Sequence, residues 1–86
     1  MSHLKPVIIH KACAFTLHIC EPVETLKKLA MFFQDRHIPI DNLQMHRYRN
    51  GEATVILHCQ VEKDRIGRTV DLLEKLPGVI ELEMLK

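Results

Sequence analysis

The sequence predicts an α+β plait, with four antiparallel strands in one sheet and two helices covering one of its faces. Three observations predict it. Apolar residues alternate with a period of two over residues 12–20, 40–49, 52–61 and 79–85. They recur at helical spacing over residues 22–37 and 64–75. Between the second and third alternating stretches stands Asn50-Gly51, a dipeptide that favours hairpin turns. The order is β-α-β-β-α-β, and right-handed crossovers wind such a chain into the ferredoxin-like arrangement.

Each element has its own reason. Ala12–Cys20 puts Cys13, Phe15, Leu17 and Ile19 on one side and Ala14, Thr16, His18 and Cys20 on the other, the pattern of a half-buried strand. The next segment is the amphipathic helix around which the chain is arranged. Pro22 suits a first helical turn, and Glu21 and Glu24 place negative charge at the positive helix end. Val23, Leu26, Leu29, Ala30 and Phe33 form the expected buried stripe. Arg36 and His37 sit where cations favour a helix C-terminus, and Pro39 stops the helix. In the second strand Leu43 and Met45 share the inner face; in the third, Ala53, Val55, Leu57, Cys59 and Val61 do so. Asn50 and Gly51 are both expected at positive φ. Ile66, Val70, Leu73 and Leu76 mark the second helix, in which Gly67 either weakens the helix or allows close approach to the sheet. Pro77-Gly78 ends it, and Ile80, Leu82 and Met84 alternate with Glu81 and Glu83 in the last strand.

These 86 residues make one domain, read as a lead-in over residues 1–11, where Val7, Ile8 and Ile9 could add a short extended segment, and a single folded unit over 12–86. A net charge of +1 gives no electrostatic argument for nucleic acid. The run His46, Arg47, Arg49 is the one basic patch the sequence shows, and it reads as a solvated strand end. Three cysteines without paired spacing imply no disulfide framework and fit a reducing compartment. No apolar run is long enough to span a bilayer, and Lys5, His10, Lys11 and His18 interrupt the apolar start, so a cytoplasmic protein is expected.

The plait hosts many functions, so the chemistry must come from its residues. Base stacking needs aromatics on the open sheet face, and that face carries Thr16, His18, Thr54, Ile56 and His58 instead. His18, Cys20 and His58 form a conceivable soft-metal set, weighed against plain solvated or interface histidines. Glu81 and Glu83 read as edge charges that discourage aggregation. No catalytic triad, phosphate loop or cofactor motif is present, and no enzyme activity or bound cofactor is expected of the chain. Gln44, His46, Tyr48 and Arg49 lie on the second strand, which is an edge in this topology and able to pair with another chain.

Glu24-Thr25-Leu26 opens the first helix, Phe33–Leu43 leads into the second strand, and Leu73-Glu74-Lys75-Leu76-Pro77-Gly78-Val79 joins the second helix to the last strand. With these features the run from Ala14 to Leu85 resembles an ACT domain, and within that family it is most similar to the small regulatory subunit of acetolactate synthase. The resemblance implies a non-catalytic subunit that dimerises and activates a thiamine-diphosphate-dependent large subunit in branched-chain amino acid biosynthesis. It also implies an amino-acid effector pocket at the dimer interface, built from the loop between strand one and helix one and from the start of strand two.

At that pocket the sequence departs from the pattern. Feedback-inhibited members carry a glycine near the start of helix one, where bare backbone amides can approach a carboxylate. The matching position here is Glu24, whose side chain obstructs and whose charge repels. Cys20-Glu21-Pro22 lacks an asparagine-like polar group and one N–H donor, and Pro39 stands where an asparagine is frequent. The expectation is a valine-insensitive subunit. A free-standing ACT-type sensor of another small molecule is the alternative, and a metal-handling plait the third reading.

Overall fold

The computed structural model describes residues 8–85. Its elements are β1 (His10–Cys20), α1 (Pro22–Asp35), β2 (Ile40–Arg47), β3 (Glu52–Glu62), a 3-10 turn (Lys63–Arg65), α2 (Ile66–Glu74) and β4 (Val79–Leu85). The sheet order is β2-β3-β1-β4, all neighbours antiparallel, and both helices cover the same face. Of the extended segment expected over Val7, Ile8 and Ile9, Val7 lies outside the described residues, and Ile8 and Ile9 precede the first strand. That strand starts at His10, two residues before the alternation begins. His10 and Lys11 pair with Glu62 and Val61 although their side chains are exposed, and backbone pairing of solvated residues leaves no hydropathy signal.

The core lies between the sheet and the helices. Phe15, Leu17 and Ile19 of β1 and Ala53, Val55 and Leu57 of β3 are wholly buried, and Leu29, Phe33 and Leu73 of the helices close over them. The inner faces expected for β1 and β3 are the buried ones.

The face of α1 is rotated from the expected one. Pro22, Thr25, Leu29, Phe32 and Phe33 are buried, whereas Val23 is 74% exposed and Ala30 faces solvent. The anchor is Thr25. Its hydroxyl donates to the Cys20 carbonyl at 2.5 Å, so a polar side chain can turn inward without losing a hydrogen bond. Thr25 also packs against Gly78, whose φ of +98° and missing Cβ leave the space it fills. At the other end Arg36 lies 3.9 Å above the Phe32 ring and donates to the Phe32 carbonyl, capping the helix as its charge predicts.

The hairpin differs from the two-residue turn. Tyr48 N–H donates to Glu52 O at 2.8 Å, and Gly51 N–H to Tyr48 O at 3.3 Å, so the loop has three residues, Arg49 to Gly51. Only Gly51 has positive φ, while the Asn50 side chain accepts from Glu52 N–H at 3.0 Å. In β4 a register shift between His18 and Ile19 of β1 inserts one residue. Leu82 and Met84 stay opposite Leu17 and Phe15, but Ile80 leaves their face and is 54% exposed. Gly67 meets no close approach of the sheet: a Cβ there would touch nothing within 4 Å.

The two glycines therefore respond oppositely. Gly67→Ala should raise stability in chemical denaturation by up to about 1 kcal/mol. Gly78→Ala, which meets both a positive φ and the Thr25 hydroxyl, should lower it by roughly 2–4 kcal/mol.

Candidate functional site

The loop joining β1 to α1 is closed on itself. Glu21 is left-handed at φ 45°, ψ 68°, and no side chain caps the helix. Thr25 N–H donates to Glu21 O, and Cys20 N–H to Gly78 O, each at 2.9 Å. A shallow groove runs over Glu21, Pro22, Val23, Glu24 and Lys27, so side chains, two of them carboxylates, surface the place where bare amides would meet a carboxylate. Pro39 is far from this groove. Its carbonyl accepts from Gln60 N–H, whereas Cys20 pairs with Glu52. Eight residues of β3 separate these points, roughly 26 Å at strand rise. One chain does not bring Pro39 together with Cys20, Glu21, Pro22 and Glu24.

The metal set is likewise dispersed. His18 pairs with Thr54 and His58 with Ala14, four residues apart along the strands, or roughly 13 Å. Cys20 lies farther still from His58. Among the described residues no three His, Cys, Asp or Glu side chains gather as a metal site. His18 instead meets Glu52, Nε2 to Oε1 at 2.5 Å, with both side chains about a third exposed. The Tyr48 ring stacks 6.0 Å from His18 and stands edge-on to His46 at 5.1 Å, while its hydroxyl bonds Thr54 Oγ1 at 2.8 Å. Of the edge residues singled out in the sequence, His46 and Tyr48 thus join an ordered ring cluster at the hairpin end. Gln44 lies opposite Ile56 along the open face, and Arg49 is in the turn. The run His46, Arg47, Arg49 is not one patch, because Arg47 alternates to the helix side of the sheet.

Cys13 and Cys59 face each other across β1 and β3, both buried, and Cys20 is half-buried. Burial pushes the Cys59 thiol up to about 12, with Cys13 and Asp41 adding to the rise. Burial also raises Cys13, and Lys11 offsets part of that.

One feature the sequence did not show is a cavity of about 100 Å³ at the end of the sheet opposite the β1–α1 loop. Arg36, His37, Arg65, Arg68, His10 and Glu62 contribute its polar wall, and Ile38, Val61 and Leu72 its apolar floor. They come from five separate elements and connections, and no motif or spacing links them.

No protein-family model and no curated protein matches the chain. Solved structures do. The ACT domain of GTP pyrophosphokinase from Chlorobium tepidum superposes with a TM-score of 0.73 at 17% identity, covering 90% of this chain and all of that one. The chain has the fold of an ACT domain. The C-terminal domain of the MgtC protein from Mycobacterium tuberculosis shares that fold, with a TM-score of 0.67 and 10% identity over 95% of this chain and 92% of its own. So does a part of a homoserine dehydrogenase from Thiobacillus denitrificans. There the TM-score is 0.71 at 16% identity, over 91% of this chain and 17% of that one.

The cysteine geometry gives a pH dependence. The Cys59 thiol holds its proton more tightly folded than at its ordinary 9.0, so its contribution to stability is complete below pH 9 and is lost as pH rises toward 12. Denaturation midpoints should therefore fall as pH rises from 9.0 toward about 12 more steeply in the natural chain than in Cys59→Ala. A thiol-alkylating reagent applied to the folded chain should label Cys20 first.

Proposed function

We propose that the chain is a non-catalytic ACT-type regulatory subunit, one that activates a thiamine-diphosphate-dependent large subunit of the acetolactate synthase kind without sensing a branched-chain amino acid. The observation that carries this reading is the closed β1–α1 loop in a chain of this fold. Glu21, Pro22 and Glu24 surface it, and its carbonyls are engaged by Thr25. A zwitterionic amino acid arriving there would meet carboxylates in place of free amides. The fold also recurs as a part of a larger enzyme chain, in the homoserine dehydrogenase.

Docking has suitable surfaces in the two edge strands. β4 leaves Ile80, Met84 and Leu85 exposed by 54%, 38% and 45%, and β2 carries Gln44 and His46 on its open-face side. An outer strand presents unpaired backbone groups to a second copy of the chain, giving a homodimer, or to the catalytic subunit. A cytoplasmic setting agrees with this role; among the described residues no helix is long and apolar enough to cross a membrane.

The decisive experiment is turnover of the same organism's acetolactate synthase large subunit at saturating thiamine diphosphate and magnesium, with and without this chain. A several-fold rise that valine leaves unchanged is the expected result, together with co-elution of the two chains. No rise and no co-elution would remove the docking role. Micromolar calorimetric binding of valine, leucine or isoleucine to this chain would remove the insensitive-loop part of the reading.

A further inference from the structure

The cavity at the His10–Glu62 end of the sheet is not the loop on which the regulatory reading rests. Its charge is unbalanced. Three arginines line it against one carboxylate, and that carboxylate, Glu62, is engaged by Arg65 at 3.1 Å. Arg36 and Arg68 have no carboxylate partner among the described residues. His10 and His37 add two imidazoles to the same wall.

The negative end of α1 points here and would oppose an anion, but three of its last four carbonyls are already occupied. Phe32 O accepts from Arg36, Phe33 O from Ile38 N–H at 3.0 Å, and Gln34 O from His37 N–H at 3.1 Å. The same contacts fix the wall: Arg36 is held by its stacking on Phe32, and the left-handed His37, φ 55°, turns the chain around the rim.

Size narrows the occupant. A volume of about 100 Å³ compares with the ~10–15 Å³ of such space that one water needs, so the cavity holds a group of several heavy atoms. It is well below the ~300 Å³ at which whole-ligand pockets begin, so a small ligand or one end of a larger one fits inside and any remainder stays outside. Charge narrows it further. Two unpaired guanidiniums match a dianion, and their planar forks suit phosphate oxygens. A zwitterionic amino acid would bring an ammonium to a wall without a free carboxylate.

We propose that this cavity is a binding site for the phosphate group of a small phosphomonoester, held by Arg36 and Arg68 with the imidazoles of His10 and His37 at the rim. The organic part would lie over Ile38, Val61 and Leu72. The site is distinct from the amino-acid-insensitive loop, because it lies at the far end of the sheet from it.

The probes are inorganic phosphate and phenyl phosphate, titrated at constant ionic strength into the full chain and followed by amide NMR and thermal unfolding. The expected result is saturable shifts confined to residues 9–11, 36–38, 60–62 and 65–72, and a melting temperature that rises with ligand by mass action. Phenyl phosphate should bind more tightly than phosphate because its ring reaches the apolar floor. Arg68→Gln, at an exposed position, should fold normally and weaken binding about tenfold, the loss of one charge-assisted contact. Arg36→Lys should also weaken binding, since lysine keeps the charge but loses the fork. Three results would each overturn the site: shifts spread over all basic residues alike, undiminished affinity in Arg68→Gln, or stabilisation by free amino acids with none by phosphate.

Discussion

Eleven consecutive residue pairs join β1 to β3, from His10 opposite Glu62 to Cys20 opposite Glu52. Every other element is placed by this ladder. β2 and β4 each have one strand neighbour, and that neighbour is β3 or β1. The helices close over the inward side chains of the same two strands, with Leu43, Met45, Val79 and Leu82 of the outer strands packed against that core. A slip of β1 by one residue would carry Phe15, Leu17 and Ile19 to solvent together, so the register is fixed by burial over its whole length. The same ladder sets the functional geography. It puts the β1–α1 loop, the hairpin and the α2–β4 turn at one end, and the start of β2, the end of α1 and the start of α2 at the other.

The sequence made this ladder legible because alternation in the central strands is uninterrupted and one face of each is fully buried. It was less informative wherever a polar residue supplies its own hydrogen bond. Thr25 turns inward because its hydroxyl has the Cys20 carbonyl to donate to, and the whole buried stripe of α1 rotates with it, leaving Val23 in water. Ile80 moves out of its expected face through a bulge, which no local pattern of seven residues announces. Asn50-Gly51 marked the hairpin correctly, but the side chain of Asn50 caps Glu52 N–H instead of taking positive φ, so the turn has one residue more.

The candidate sites were legible to the extent that they were local. The character of the β1–α1 loop follows from Glu21, Pro22 and Glu24 themselves, and the structure places all three in one groove. Sites assembled across the sheet were not legible. His18 and His58 share a face but are offset along it, and a period of two cannot reveal an offset. The arginine-lined cavity draws on β1, β3, the α1–β2 connection, the 3-10 turn and α2, and its charge appears in the sequence only as scattered cations balanced by acids that fold elsewhere. A net charge of +1 for the chain conceals a strongly unequal distribution.

The left-handed backbone at Glu21 has a consequence for how this chain can change over time. A side chain in that conformation costs roughly 1–2 kcal/mol. A glycine there removes that strain but gives back roughly 0.5–1 kcal/mol through the freedom it adds to the unfolded chain. The exchange is neutral to mildly favourable for folding. Position 21 can thus move between a carboxylate and a bare backbone with little resistance from the scaffold, while Glu24 beside it keeps a carboxylate in the groove.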